Sequence, residues 1–191
     1  MTLRTTAPKP KICTVCKTSF TPQRMGAKVC SNFCAMTFAK SVTGKAAKVA
    51  AVKERKETKA KLDKLKSKAQ WAREAQTAFN TWIRLRDADQ PCISCGRHHK
   101  GQYHAGHYLS VGARPELRFE PLNVHKQCAP CNTHLSGNAV LFRKGLLAKH
   151  GIEIVDWLEG PHELKHYTID HLAAIKAVYQ SKNKELKARM E

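Results

Sequence analysis

Residues 45–90 contain neither Gly nor Pro and are dominated by Ala, Lys, Glu and Leu, so this stretch predicts one long helix or two in tandem. Its two parts pattern differently. Across 45–68 the large apolar positions are sparse (Val49, Val52, Leu62 and Leu65), which predicts an exposed helix between better-packed modules. Further on, Trp71, Ala75, Ala78, Phe79, Trp82 and Ile83 share the spacing of a helix with one buried stripe, expected to pack on whatever module follows. After residue 90 the pattern turns irregular, with short β-like pieces at 102–109 and 122–127 separated by Gly112 and Pro115. Helical spacing returns at Val140, Leu141, Leu147 and Ala148 and closes on Gly151. A final helix is marked by Thr168 as N-cap, by Asp170 at the positive end of the helix dipole, and by Leu172, Ile175 and Tyr179 on one face.

Eight cysteines punctuate this pattern in two sets of four: Cys13, Cys16, Cys30 and Cys34, then Cys92, Cys95, Cys128 and Cys131. Residues 1–10 show no apolar signal core and no run of 18 apolar residues occurs, so the expected location is the cytoplasm, without membrane contact. Thiols in a reducing compartment serve as metal ligands rather than disulfides, and both spacings suit closed structural Zn²⁺ sites. In the first set, Phe20, Thr21, Pro22 and Gly26 read as a hairpin between the cysteine pairs, with Lys17, Arg24 and Lys28 on its surface as candidate phosphate contacts. So small a module cannot bury an adequate apolar core, and metal binding would supply most of its folding free energy.

The chain's 191 residues suit one medium domain or two small modules, and 34 Lys and Arg against 15 Asp and Glu leave a formal charge of +19. Such a chain repels itself unless a polyanion neutralises it, which makes nucleic acid the expected partner. The excess is uneven: seven basic and no acidic residues in 1–44, thirteen against six in 45–90, eight against two in 91–150, and six against seven in 151–191. The polyanion-binding surface is thus expected before residue 151, and the nearly neutral remainder is expected to serve packing or dimerisation.

Seven of the ten histidines lie in residues 91–150, and the insertion inside the second cysteine set carries His104-Ala105-Gly106-His107-Tyr108. The closing pair continues Cys131-Asn132-Thr133-His134. Hydrolysis of a phosphodiester needs a base for water, a divalent cation against the developing charge, and a scaffold aligning both. Imidazole is largely neutral near pH 7 yet able to accept a proton, and an Asn carbonyl suits a hard cation such as Mg²⁺ or Mn²⁺. A zinc-dependent binding module without an active site would account for the charge, the cysteines and the helix equally well, but not for the clustered histidines and Asn.

Two cysteine knuckles flanking a histidine hairpin, with Asn directly after the last cysteine, resemble the His-Me finger (HNH) nucleases. The segments Cys13-x2-Cys16, Phe20-Thr21-Pro22, Glu74 to Asn80, Cys92-Ile93-Ser94-Cys95-Gly96-Arg97, His104 to Tyr108 and Asn132 to Asn138 resemble the NinG (Rap) family of lambda-like phages over nearly the whole chain. That resemblance implies a structure-specific endonuclease cutting branched recombination intermediates, Holliday junctions and D-loops, in the bacterial host, alongside other phage recombination proteins. Symmetric nicking would favour a homodimer.

By position His107 matches the general base and Asn132 the metal ligand, the two facing one phosphorus. Gly106 stands where the His-Me finger pattern has Asp, so another ligand is expected from His104 or His134, with Asn123 or His125 behind them. Arg114 and Arg118 are candidate phosphate clamps. The expected fold class is α+β and mostly helical, with an N-terminal zinc-knuckle module at 1–44, a basic helical linker at 45–70, an amphipathic helix and zinc-stapled ββα-metal core at 71–150, and a helical segment at 151–191.

Overall fold

A computed structural model describes residues 9–190, in two compact units that meet between Leu65 and Lys66. In the first unit strands β1 (Lys11–Ile12) and β2 (Ser19–Phe20) pair antiparallel, with Lys11 opposite Phe20. This hairpin is earlier than expected: it wraps the first knuckle instead of joining the two cysteine pairs. The knuckle itself makes the reversal, since Cys13 N donates to Thr18 O at 2.9 Å and Lys17 adopts a left-handed φ of 63°. Helix α1 (Asn32–Leu65) then starts at the second cysteine pair, where Ser31 Oγ accepts from Cys34 N at 3.2 Å. It runs through Gly44, so no boundary falls at residue 44; one exposed Gly costs a helix only about 1 kcal/mol. Cys34 is its only buried residue, as the sparse apolar positions predict.

The second unit opens with a break at Ser67, whose Oγ accepts from Gln70 N while Gln70 Oε1 accepts from Ser67 N, a capping box that starts helix α2 (Lys68–Arg86). Its stripe buries Ala75, Ala78, Phe79 and Ile83. The partner is chiefly the last helix, α5 (Ile169–Met190), rather than the second knuckle: Leu172 and Tyr179 join the same core, and Phe79 meets Tyr179 edge to face at 4.8 Å. Thr168 Oγ1 caps α5 by accepting from His171 N at 3.2 Å. Leu172 and Tyr179 of α5 are therefore packed within the chain, the packing role expected of this segment, and residues 151–191 belong to the core unit.

Strands β3 (Tyr103–His107) and β4 (Val124–Cys128) pair antiparallel, Tyr103 opposite Cys128 and His107 opposite Val124. Val124 and Phe119 join the α2–α5 core, so α2 lies along the sheet. Helices α3 (Ala139–His150) and α4 (Ile152–Glu159) build a second cluster from Phe142, Leu146, Val155 and Leu158 with Leu117. A Cβ at Gly145 would overlap the Ile93 carbonyl, so α3 lies directly on the second knuckle. At the end of α2, Arg86 holds Asp87 with two hydrogen bonds (2.8 and 2.7 Å) and donates to Pro121 O and Val124 O. Asp87 in turn accepts from Lys126 N, tying α2 to β4. No helix among the described residues is long and apolar enough to cross a membrane.

Candidate functional site

Both cysteine tetrads assemble: in each, the four Sγ atoms lie within 4.8 Å of one another. Ligands at the Zn–S length of about 2.3 Å on a tetrahedron are about 3.8 Å apart. The separations are 3.4 Å for Cys16–Cys30, 3.7 Å for Cys30–Cys34 and 3.9 Å for Cys95–Cys128, so both tetrads could hold zinc. Burial pushes the Cys13 thiol up, but backbone hydrogen bonds from Cys16, Val15 and Cys30 outweigh it and bring it down to about 6. Burial and the neighbouring thiols push Cys128 up to about 12. Four facing thiols cannot all ionise without a cation, and a divalent ion supplies that compensation. His99 puts Nε2 3.3 Å from Cys95 Sγ.

The knuckle passes its order directly to Asn132. Pro130–His134 forms a single π-type turn, closed by Leu135 N donating to Pro130 O at 3.0 Å. Within it Asn132 Nδ2 donates to His104 Nδ1 at 2.9 Å. An amide nitrogen only donates, so a neutral His104 carries its proton on Nε2 and its Nδ1 is not available to a metal. These two residues line a cavity of about 500 Å³ together with Asn80, Arg84, Gln102, Tyr103 and Ala105.

His107 is three residues along β3 from His104, hence on the opposite face of the strand and about 10 Å further on. It does not line the cavity, so the expected convergence of His107 and Asn132 on one phosphorus is corrected. Its Nε2 instead donates to Arg118 O at 3.1 Å. A carbonyl only accepts, so Nε2 holds the proton and Nδ1 is the basic nitrogen. Burial, reinforced by the Arg118 charge, keeps the imidazole below its ordinary pKa, outweighing the carbonyl.

A row of hydrogen bonds on α2 joins the two places. Arg118 Nε donates to Gln76 Oε1 at 2.8 Å, and Gln76 Nε2 donates to Asn80 Oδ1 at 2.7 Å, in the cavity wall. Gln76, Asn80 and Arg84 stand at i, i+4 and i+8, in a row beside the apolar stripe of α2. Sequence reasoning missed this polar row, although its spacing was visible.

The remaining expected site residues fall elsewhere. His134 is exposed at the end of the π turn, outside the cavity wall. Asn123 is buried and fully used: Nδ2 donates to Leu109 O and Leu117 O, and Oδ1 accepts from Leu109 N. His125 is buried too, its Nδ1 accepting from Arg86 and its Nε2 donating to Leu122 O. Arg114 is corrected as a phosphate clamp, because its guanidinium is committed to Glu116 and to Gly160 O, both at 2.5 Å. Arg118 is partly committed, through Nε, to Gln76. In the first unit Lys17, Arg24 and Lys28 are exposed, with Lys17 Nζ donating to Thr14 O.

Gly106 has a physical cause. It is buried, and a Cβ there would overlap the Gln127 side chain, which Ser94 Oγ and Gly137 O pin by accepting from Nε2 at 2.7 and 2.6 Å. Gln127 Oε1 is buried without a hydrogen-bond partner. An Asp at position 106 would have no room.

Fold and site define a mostly helical α+β protein with small two-stranded sheets and two four-cysteine clusters able to hold zinc. The chain belongs to the NinG family: the family model described as Bacteriophage Lambda NinG protein matches residues 5–190. It is 48% identical over 123 residues to Protein ninG of Escherichia phage lambda, which is 64% of this chain and 60% of that protein. Over 123 residues it is 47% identical to Protein ninG of Escherichia phage 933W and to that of Salmonella phage P22, covering 61% of each. The matched part thus spans about 60% of the length of these curated relatives. No solved structure matches the chain.

Proposed function

We propose that this protein is a metal-dependent endonuclease that nicks branched DNA intermediates of phage recombination. The observation that carries the reading is the hydrogen bond from His107 Nε2 to Arg118 O, in a chain of formal charge +19. It fixes the tautomer, with the proton on Nε2 and Nδ1 free to take a proton from water, at the end of a polar row leading to His104 and Asn132. Asn132 Oδ1 is the oxygen that would hold Mg²⁺ or Mn²⁺. No carboxylate lines the cavity, so the DNA phosphate and water would complete the ligand set. When bound, the cation would neutralise charge on the DNA phosphate that enters the cavity, next to the one whose attacking water His107 would deprotonate. Arg118 orients the base through its carbonyl. The two tetrads act as structural staples, and the second sets the position of Asn132 through adjacent Cys131.

A non-catalytic DNA-binding role is the second reading, favoured by the separation of His107 from Asn132. Incubating the protein with four-way, forked and linear DNA in Mg²⁺ or Mn²⁺, and in parallel with EDTA, separates the two. Cation-dependent nicks on branched substrates, lost in His107→Ala, support the nuclease; tight binding without nicks under every condition overturns it.

A further inference from the structure

The cavity beside β3 contains more donors than acceptors. Among the described residues, Arg84 is the only side chain of fixed charge in its wall, and no Asp or Glu lines it. Arg84 is exposed and its one hydrogen bond is from Nη2 to Thr81 Oγ1 at 3.2 Å, which leaves most of the guanidinium fork unused. Arg114, by contrast, is spent on Glu116 and Arg143 on Glu159. Asn80 accepts through Oδ1 from Gln76, so its Nδ2 remains to donate. His104 accepts at Nδ1 from Asn132 and therefore presents Nε2–H. One permanent positive charge and two neutral donors around about 500 Å³, with no carboxylate, describe a site for an anion, on which any cation at Asn132 would depend for its remaining ligands.

We infer that Arg84, Asn80 and His104 form a seat for a backbone phosphate of DNA, flanking the phosphate whose attacking water His107 would deprotonate. The inference rests on the nuclease reading only in naming that flanking position. Along β3 the seat lies about 10 Å from His107, too far to grip the reacting phosphorus itself and suited to a neighbouring group on the same strand. Arg84 supplies the charge and a two-pronged grip. Asn80 and His104 fix where the phosphate sits, each held by a partner outside the seat, Gln76 and Asn132. A seat of this kind reads no base and serves register, holding the strand so that a chosen phosphate reaches His107.

The test uses the full chain and a four-way junction, with binding measured across a series of salt concentrations. Arg84→Gln is expected to weaken binding roughly ten-fold and to lower the salt dependence by about one phosphate, while Arg84→Lys recovers part of the affinity. Arg73→Gln, an exposed site elsewhere on α2, is expected to lose clearly less. Junctions carrying one neutral methylphosphonate at successive positions near the branch then locate the seat. The parent should lose affinity at one position where Arg84→Gln no longer does.

Unchanged binding in Arg84→Gln, an equal loss in Arg73→Gln, or a methylphosphonate profile identical in parent and variant would each overturn the seat. Nicking by the parent is scored separately. A parent that binds but never nicks removes the nuclease reading and leaves the phosphate seat to stand or fall on its own binding data.

Discussion

Asn132 and His104 are joined side chain to side chain at 2.9 Å across 28 residues of sequence, and the bond ties the turn after the last cysteine to the strand that carries His107. Each partner reaches it from a rigid support: Asn132 follows Cys131 in the π turn, and His104 sits opposite Gln127 in the ladder.

His107→Ala is expected to lower nicking of a four-way junction on the order of 10²- to 10⁴-fold with DNA affinity nearly unchanged, a range typical of a lost general base. Because burial holds the His107 pKa below its ordinary 6.5, more than half of the base is neutral at that pH. The kcat/KM of the parent should reach half its plateau below pH 6.5 and fall as the pH drops further. A profile still rising between pH 7 and 8 would assign the base to another group.

Gly106→Ala is expected to destabilise the second unit by about 1–3 kcal/mol, the range for overpacking, because its Cβ meets a Gln127 side chain anchored at both Ser94 and Gly137. Gln127→Ala opens that space. Urea unfolding of the two single variants and the double should show the double less destabilised than the sum by about 1 kcal/mol or more. Simple additivity would remove the steric account.

Asp87 ties Arg86, Lys126 N and Lys149 together at a site only 3% exposed, and Asp87→Asn is expected to cost about 3–5 kcal/mol by leaving Arg86 without its partner. Against the cost of burial, the hydrogen bonds and charge of Arg86 and the Lys126 backbone N–H hold the Asp87 carboxyl far below its usual range. A depressed carboxyl adds stability that is present above the unfolded value near pH 4 and is lost as pH falls below it. Thermal unfolding should therefore drop steeply on acidification below pH 4 in the parent and less so in Asp87→Asn.

The metal content is expected to be two zinc ions per chain, both released by a strong chelator in a colorimetric assay. Cys30→Ser should retain one, with cleavage by added protease concentrated in residues 11–34, since that region has little apolar core of its own. Full zinc content in Cys30→Ser would refute the first site.

Much of this fold was legible because its signals are local. The stripe from Trp71 to Ile83, the caps at Thr168 and Gly151 and the cysteine spacings each report on neighbouring residues, and the helices and tetrads follow from them. What failed required long-range adjacency. The stripe of α2 does not say that its partner is α5, far along the chain, and nothing local says that Gln76 and Asn80 bridge Arg118 to the cavity. Arg114 was misjudged although Glu116, two residues away, was in plain view as a competing partner. The early start of α1 escaped because the cysteines at 30 and 34 suggested a self-contained knuckle, whereas the second of them is a helical residue.

Helix α1 is 34 residues, about 50 Å, with nine basic and three acidic side chains and only Cys34 buried. Its charges are spread around the whole circumference, so it has no preferred side to turn toward a polyanion. Such a rod adds attraction in every rotational setting and discriminates among none of them. Any choice of one DNA shape over another must then originate in shorter, better-fixed parts of the chain.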